Sequence, residues 1–429
     1  MKPKYNGVVI SIILIMVLVF GFSLVVDADS TRDVTIKSLS VKVYDTEAAA
    51  AVAMPNSEYS ISYLDDNDKL QVVSSGTTDA EGIIKDITLK AIPSNVTKLR
   101  ITYTMGEKAR GYIKNLSTNE PYTIAYSKDI PDGNVISYRT SARFATSGEA
   151  NSYTLHYLVA RMNYYYNEIV SQTTADIASA HDVDESISEF QNEPIDLYYE
   201  RGSFVDVDNG FYRNGHDKSG VSDIVLSDHT SLSAFTDYSI KHAIAHEWTH
   251  WNLVRTANLP SGTYKNHYSY NEKVTTSYKE GGPAFVADML TKSYSLADKD
   301  AEVQTDSYND VNRLYGKSTI RTVEQVLYDL LDTTSTDENE SFYVSESLAG
   351  ISNLTDQQIR QINFGMIYAE MLSSKAQTLS EFLQYLQAKY ATSADDALRF
   401  QQVLSINGLS TMGNFTLDAD GNTLSGATD

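Results

Sequence analysis

The sequence predicts a multidomain chain: an N-terminal all-β sandwich, then an α+β domain whose C-terminal part is mostly helical. Three observations carry this expectation. Apolar residues alternate at period two, with turn residues between the runs, from Asp33 to about Asp132. Beyond Pro131-Asp132-Gly133 the apolar spacing switches to three and four residues. The chain has 429 residues, 42% hydrophobic and 21% charged, which suffices for roughly two or three globular domains.

Residues 1–29 read as a secretory signal peptide. Lys2 and Lys4 precede an uncharged apolar run from Val8 to Val26, and Val26-Asp27-Ala28 offers small residues at cleavage spacing. The alternative is an uncleaved N-terminal anchor, because the run is long enough to span a bilayer. Either way the rest of the chain is expected outside the membrane, with no stable membrane partner once a signal is cleaved. Cysteine is absent, which excludes disulfides, thiolate metal sites, cysteine nucleophiles and a lipoprotein anchor. A cysteine-free exported protein suits a single-membrane bacterium, so the expected location is secreted or cell-surface. Triplets such as Asn95-Val96-Thr97 are then chance matches to a glycan signal. The formal charge of -22 argues against nucleic acid as a partner, since a polyanion needs a basic footprint. The 30 tyrosines have no single physical explanation.

The β-rich module is expected over residues 30–132. Val34, Ile36, Leu39, Val41 and Val43 form one apolar set; Tyr59, Ile61 and Tyr63 a second; Leu99, Ile101 and Tyr103 a third. Gly76, Asp79-Ala80-Glu81-Gly82 and Pro93-Ser94-Asn95 supply turns between them. Short strands at this spacing predict a sandwich. The stretch from Val41 to Ile87 resembles a prealbumin-like, Cna-B-type or carboxypeptidase-regulatory module, on Asp45, Pro55 and the Thr78-Asp79-x-x-Gly82 turn. That resemblance implies an Ig-like spacer or adhesion module without chemistry of its own.

The second domain is expected over 133–406. A helix is predicted from Tyr153 to Val170, strands at Ile195–Tyr199 and Ile224–Leu226, a second helix from Tyr238 to about Arg255, and mostly helices from there to about Leu404. Residues 407–429, rich in Gly, Thr, Asn and Asp, read as a loop or frayed tail.

The chemistry sits in His246-Glu247-Trp248-Thr249-His250. Positions four apart share a helix face, so both imidazoles reach one ion. Glu247 is turned by about 100° from His246, placed to act on water without being a ligand. Zinc accepts neutral imidazole and keeps an open position for that water, which a carboxylate can then deprotonate. His242, one turn earlier, cannot share the ion with His250, because eight residues span about 12 Å; it reads as a packed residue or a support for the ligands. No histidine follows His250 closely enough to extend the motif, and the next is His267. A carboxylate is the better third ligand, with Glu280 and Glu272 as candidates.

The chain resembles a gluzincin zinc metallopeptidase, in which a Glu on a second helix completes a His-His-Glu site. Glu280-Gly281 with Ala284-Phe285 and Asp288 follows that family's Glu-Gly-x-Ala pattern loosely, which favours Glu280. The spacing from His250 is longer than in the thermolysin-like and M1 aminopeptidase groups, and Glu272 lies nearer the thermolysin type. Pro283 is compatible with a helix if Glu280 lies in its first turn. The resemblance implies a zincin-like catalytic domain and one catalytic zinc, with Glu247 as general base; Asp288 reads either as an acid that orients a ligand histidine or as a surface acid. Ser222–Asp228 would be either the edge strand that pairs with an extended substrate or an ordinary sheet strand. An apolar helix at Val326–Asp332 is a further likeness. The family's oxyanion stabiliser would here be a tyrosine, with Tyr328, Tyr343 and Tyr368 as candidates. Asp206–Gly210 and Asp418-Ala419-Asp420-Gly421 hint at calcium, but neither fits the EF-hand spacing, so both read as acidic turns.

The expected activity is hydrolysis of peptide or protein substrates. Two other readings stand beside it: a surface adhesion or ligand-binding protein with a peptidase-like domain that has lost turnover, and zinc-dependent hydrolysis of a non-peptide amide.

Overall fold

The structure is a computed structural model that describes residues 30–45, 49–144, 155–179, 193–203, 210–214, 222–228, 237–257, 270–291, 316–331 and 356–425. The expected signal segment, His267, Tyr343, Asp332 and residues 206–209 of the first acidic turn lie outside these residues. Among the described residues no helix is long and apolar enough to cross a membrane.

The N-terminal part is strand-rich. It carries β1 (Thr31–Asp45), β2 (Ala50–Val52), β3 (Glu58–Leu64), β4 (Leu70–Thr77), β5 (Ile83–Pro93), β6 (Lys98–Thr104), β7 (Gly106–Glu107), β8 (Gly111–Asn115), β9 (Thr123–Asp129) and β10 (Val135–Phe144). One sheet centres on β1, which pairs antiparallel with β2 and β5 and parallel with β10. A second runs β4-β3-β6-β9, antiparallel throughout. In β1 the buried apolar positions change parity, from Val34 and Ile36 to Leu39, Val41 and Val43. The pairing with β10 shifts register between Ile36 and Ser38. A bulge there adds one residue and keeps both apolar sets on one face, which an unbroken strand could not do. Ile61, Leu99, Ile101 and Tyr103 of the second sheet are likewise buried.

The Thr78-Asp79-x-x-Gly82 motif is a clamp. Thr78 Oγ1 donates to the carbonyl of Met54 at 2.8 Å and accepts from the amide of Ser57 at 2.9 Å. Asp79 Oδ1 accepts from the amide of Ile83 at 2.8 Å, and Gly82 takes a φ of 77° close to the Met54 backbone.

Two boundaries differ from expectation. β10 extends the first sheet to residue 144, past the expected limit at 132, because its partner is the opening strand β1. More consequentially, β8 leaves the N-terminal sheets and pairs parallel with β11 (Asp196–Tyr199). With β12 (Gly210–Asn214) and β13 (Ser222–Leu226) it forms a sheet of order β12-β13-β11-β8-β7. The amide of Tyr112 donates to Asp196 Oδ1 at 2.9 Å, and Lys114 Nζ lies 2.7 Å from Asp196 Oδ2. The strand-rich part thus supplies strands to the sheet beneath the second part. β13 is flanked on both sides, so it is an interior strand and not the substrate-pairing edge that the sequence suggested; among the described residues the edge beside it is β12.

The C-terminal part is helical: α1 (Leu155–Ser179), α2 (Asp237–Ala257), α3 (Val274–Thr291), α4 (Ile320–Asp329), α5 (Asp356–Ser373), α6 (Leu379–Tyr390) and α7 (Ala394–Ile406). α1 bridges the halves. Asn163 Nδ2 donates to the carbonyl of Pro55 at 3.0 Å, and Lys241 of α2 pairs with Glu168 of α1 at 2.9 Å. Side-chain caps at Thr319, Thr378 and Ser393 start α4, α6 and α7.

Residues 407–425 are not a frayed tail. The amides of Thr416 and Leu417 donate to the carbonyl of Gly316 at 2.8 and 2.9 Å, and Leu409 and Phe415 are buried. Burial of these two side chains contributes about 1.5–3 kcal/mol each, alongside the backbone bonds, to holding the segment down.

Candidate metal centre

α2 is built to be buried on one side and chemical on the other. Ile240, Ile244, Ala245, Trp248, Trp251 and Leu253 are buried, and Arg255 in the last turn complements the helix dipole. Trp248 and the hydroxyl-bearing Tyr368 of α5 pack behind the helix, with ring centroids 6.5 Å apart. Tyr368 is held against Thr249 and Asn252, and burial pushes its phenol well above the ordinary range. Thr249 and Asn252 lie about 60° and 120° round α2 from His246, so Tyr368 packs beside the ligand-bearing face, against the flank opposite Glu247.

α3 lies against α2 and presents Glu280. Glu280 falls in the second turn, not the first, and α3 continues through Pro283. The proline removes one helical hydrogen bond, but every residue from Thr276 to Leu290 is buried, and that packing offsets the loss. Two glycines let the neighbours close in. A Cβ on Gly281 would stand 2.5 Å from Cβ of Val323 on α4, and one on Gly282 would stand 2.6 Å from Cε of Met371 on α5.

His246, His250 and Glu280 bring one ligand atom each to a common point, and together they could hold a metal ion. The two Nε2 atoms are 3.1 Å apart, and Oε2 of Glu280 lies 3.1 Å from His250 and 3.6 Å from His246. Ligands 2.0–2.1 Å from a tetrahedral ion stand about 3.3 Å from one another. The observed triangle therefore matches a single ion bound by three protein atoms with one position open. The rings of His246 and His250 meet at 82°, as two imidazoles do when they converge from successive turns. Burial holds the His246 imidazole below its ordinary range against the pull of Glu280, keeping it in the neutral form a metal requires.

Glu247 is half-buried and sits one position round the helix from His246. Its charge acts on both His246 and Lys279. Lys279, beside Glu280, is a buried cation that sequence reasoning passed over, since its neighbours Thr276, Ser277 and Glu280 are polar and give no local signal of burial. Burial pulls its ammonium below the ordinary lysine range, with Glu280 and Glu247 opposing.

Glu272, the alternative ligand, is exposed and precedes the first residue of α3. His242 and Asp288 meet each other, Nε2 to Oδ1 at 3.3 Å. Tyr328 of α4 packs edge-on to Phe285 at 5.3 Å in the core between α3 and α4. The second acidic turn is closed by its own chain: Asp418 Oδ1 accepts from the amides of Asn422 and Asp420 at 2.8 and 2.9 Å, which holds its carboxyl below the usual range. Lys317 Nζ donates to the carbonyl of Ala419 at 3.0 Å, so an internal ammonium stands against the loop.

No family model matches the chain. No curated protein matches it. Among solved structures, a 9R-lipoxygenase from Cyanothece PCC8801 matches with 11% identity, over 91% of this chain and 69% of that one, at a TM-score of 0.16. A likeness at that score carries no argument about fold or chemistry.

Proposed function

We propose that the chain is an exported zinc metallopeptidase of the gluzincin type, with a zincin-like core and an N-terminal sandwich of prealbumin or Cna-B kind. The observation that carries this reading is the buried His246–His250–Glu280 triangle, with Glu247 one residue along the same helix. Two imidazoles and one carboxylate are the donor set of open zinc sites. Zinc held there by His246, His250 and Glu280 would supply Lewis acidity and would lower the pKa of a bound water towards 7. Glu247 takes the proton from the attacking water and delivers it to the departing amine nitrogen. Lys279 offsets part of the negative charge that Glu247 and Glu280 place in a poorly solvated space.

The test is metal analysis of the purified protein and its assay on a mixed peptide library, with and without chelator, beside Glu247→Gln. Zinc-dependent cleavage that disappears in Glu247→Gln is the expected result. Zinc bound with no peptide cut would favour a ligand-binding protein instead, and release of amide products from cell-wall fragments would move the substrate away from peptides.

A further inference from the structure

α2 and α3 run antiparallel and meet at two levels. At one, His246 and His250 face Glu280; at the other, His242 Nε2 lies 3.3 Å from Asp288 Oδ1. Along α3 the levels are about 12 Å apart, and on α2 His242 stands about 6 Å from His246 and about 12 Å from His250, so the contacts fix register along a length, not at a point. Between Glu280 and Asp288 stands Pro283. It gives no amide to the carbonyl of Lys279 and crowds it. The helical ladder of α3 is therefore interrupted beside the residue whose placement the metal triangle demands. The side chain of Asp288 is 5% exposed and that of His242 26%, so the pair is largely shielded from competing water. The ring of His242 also lies nearly parallel to that of His246, at 18° with centroids 6.2 Å apart.

We propose that His242 and Asp288 are a positioning pair. By tying the far half of α3 to α2 beyond the proline, they set the slide and rotation of α3 and so hold the Glu280 carboxylate within bonding range of an ion on His246 and His250. Metal–ligand distances are held to about 0.2 Å, so a shift of Glu280 by a fraction of an ångström weakens binding although the pair contributes no ligand atom. The inference rests on the metal reading of the triangle.

The test measures zinc affinity of the full chain by competition with a chromogenic chelator, together with the thermal midpoint of the metal-free protein. Asp288→Ala and His242→Ala should each weaken zinc by at least about tenfold. The double substitution should be no weaker than the worse single, because the two act as one contact. His242→Gln, whose amide nitrogen can stand where Nε2 stands, should recover most of the loss. A lowered midpoint in Asp288→Ala with zinc affinity within twofold of wild type would overturn the proposal, since that is a structural contact alone. Wild-type protein that binds no zinc would sink the metal reading itself, and is told apart because it needs no variant. Should Asp288→Ala fail to fold, the contrast between His242→Ala and His242→Gln decides the matter.

Discussion

Gly281→Ala and Gly282→Ala are adjacent substitutions with opposite expected signs. In a helix interior alanine is favoured over glycine by about 1 kcal/mol, so with room to spare both would stabilise. At Gly281 there is no room: the new Cβ would lie 2.5 Å from Cβ and 2.7 Å from Cγ1 of Val323, with the carbonyl oxygen of Ile320 at 3.0 Å. Val323 is fully buried and branched at Cβ, so it cannot swing aside. Carbon atoms rest about 3.5–4 Å apart, hence α4 must retreat by about an ångström. Overpacking of that kind costs about 3 kcal/mol at its upper end, and after the helix gain a net destabilisation of about 2 kcal/mol remains. At Gly282 the close neighbour is Cε of Met371, at 2.6 Å, and the next atom is Leu253 Cδ1 at 3.8 Å. A methionine tip has three rotatable bonds and moves cheaply, so Gly282→Ala should range from neutral to about 1 kcal/mol stabilising. Urea midpoints of the metal-free proteins, compared at unchanged slope, report the difference. Adding Val323→Ala to Gly281→Ala should cost less than Val323→Ala alone, because the new methyl occupies the vacated space. A Gly281→Ala protein as stable as Gly282→Ala would refute the packing argument.

Further expectations concern the site and the architecture. Glu280→Gln should lower zinc affinity by at least about a hundredfold in a chelator competition, whereas exposed Glu272→Gln should leave it within twofold; equal losses would reopen the choice of ligand. The Asp79 carboxyl is held below its ordinary 3.8: burial raises it, but Lys85 and the amides of Ile83 and Glu81 outweigh that. Its contribution is thus present above pH 3.8 and lost as pH falls towards the folded value. The acid unfolding of Asp79→Asn should accordingly be less steep than that of wild type, and parallel curves would contradict it. Deletion of residues 30–132 should leave the remainder insoluble or protease-sensitive, as β8 and β1 are then missing from their sheets; a compact fragment on limited proteolysis would count against a shared fold.

What could be read from the sequence was whatever is local. His246, Glu247 and His250 occupy little more than one turn of one helix, so their spacing alone puts both imidazoles on one face. The buried sets on β3 and β6 followed from period-two alternation, as did each half of that on β1, whose joining bulge at Ile36–Ser38 no alternation reveals. Glu280 is favoured by the likeness of Glu280-Gly281, Ala284-Phe285 and Asp288 to a family pattern, and Gly281, with Gly282 beside it, proves to be where α4 and α5 approach. Non-local facts were out of reach. Tyr112 and Asp196 meet across 84 positions of chain, which no periodicity reports, so β8 was counted with its neighbours in sequence. β13 looks the same locally whether it is an edge or an interior strand; only β12 beside it decides. Pro283 was expected to confine Glu280 to a first turn, a rule that holds for helices in water, whereas α3 is enclosed for most of its length. Thirty tyrosines offered no basis for choosing among Tyr328, Tyr343 and Tyr368.

Lys317 has a practical meaning for anyone adding a chelator. Its ammonium, itself 8% exposed, is delivered from the strand of chain just before α4 to an oxygen-rich bend that would otherwise invite a divalent ion. That bend thus brings its own positive charge on a covalent tether, immune to EDTA. Among the described residues, the group whose ligand atoms converge closely enough for an ion is His246, His250 and Glu280, in the gap between α2 and α3.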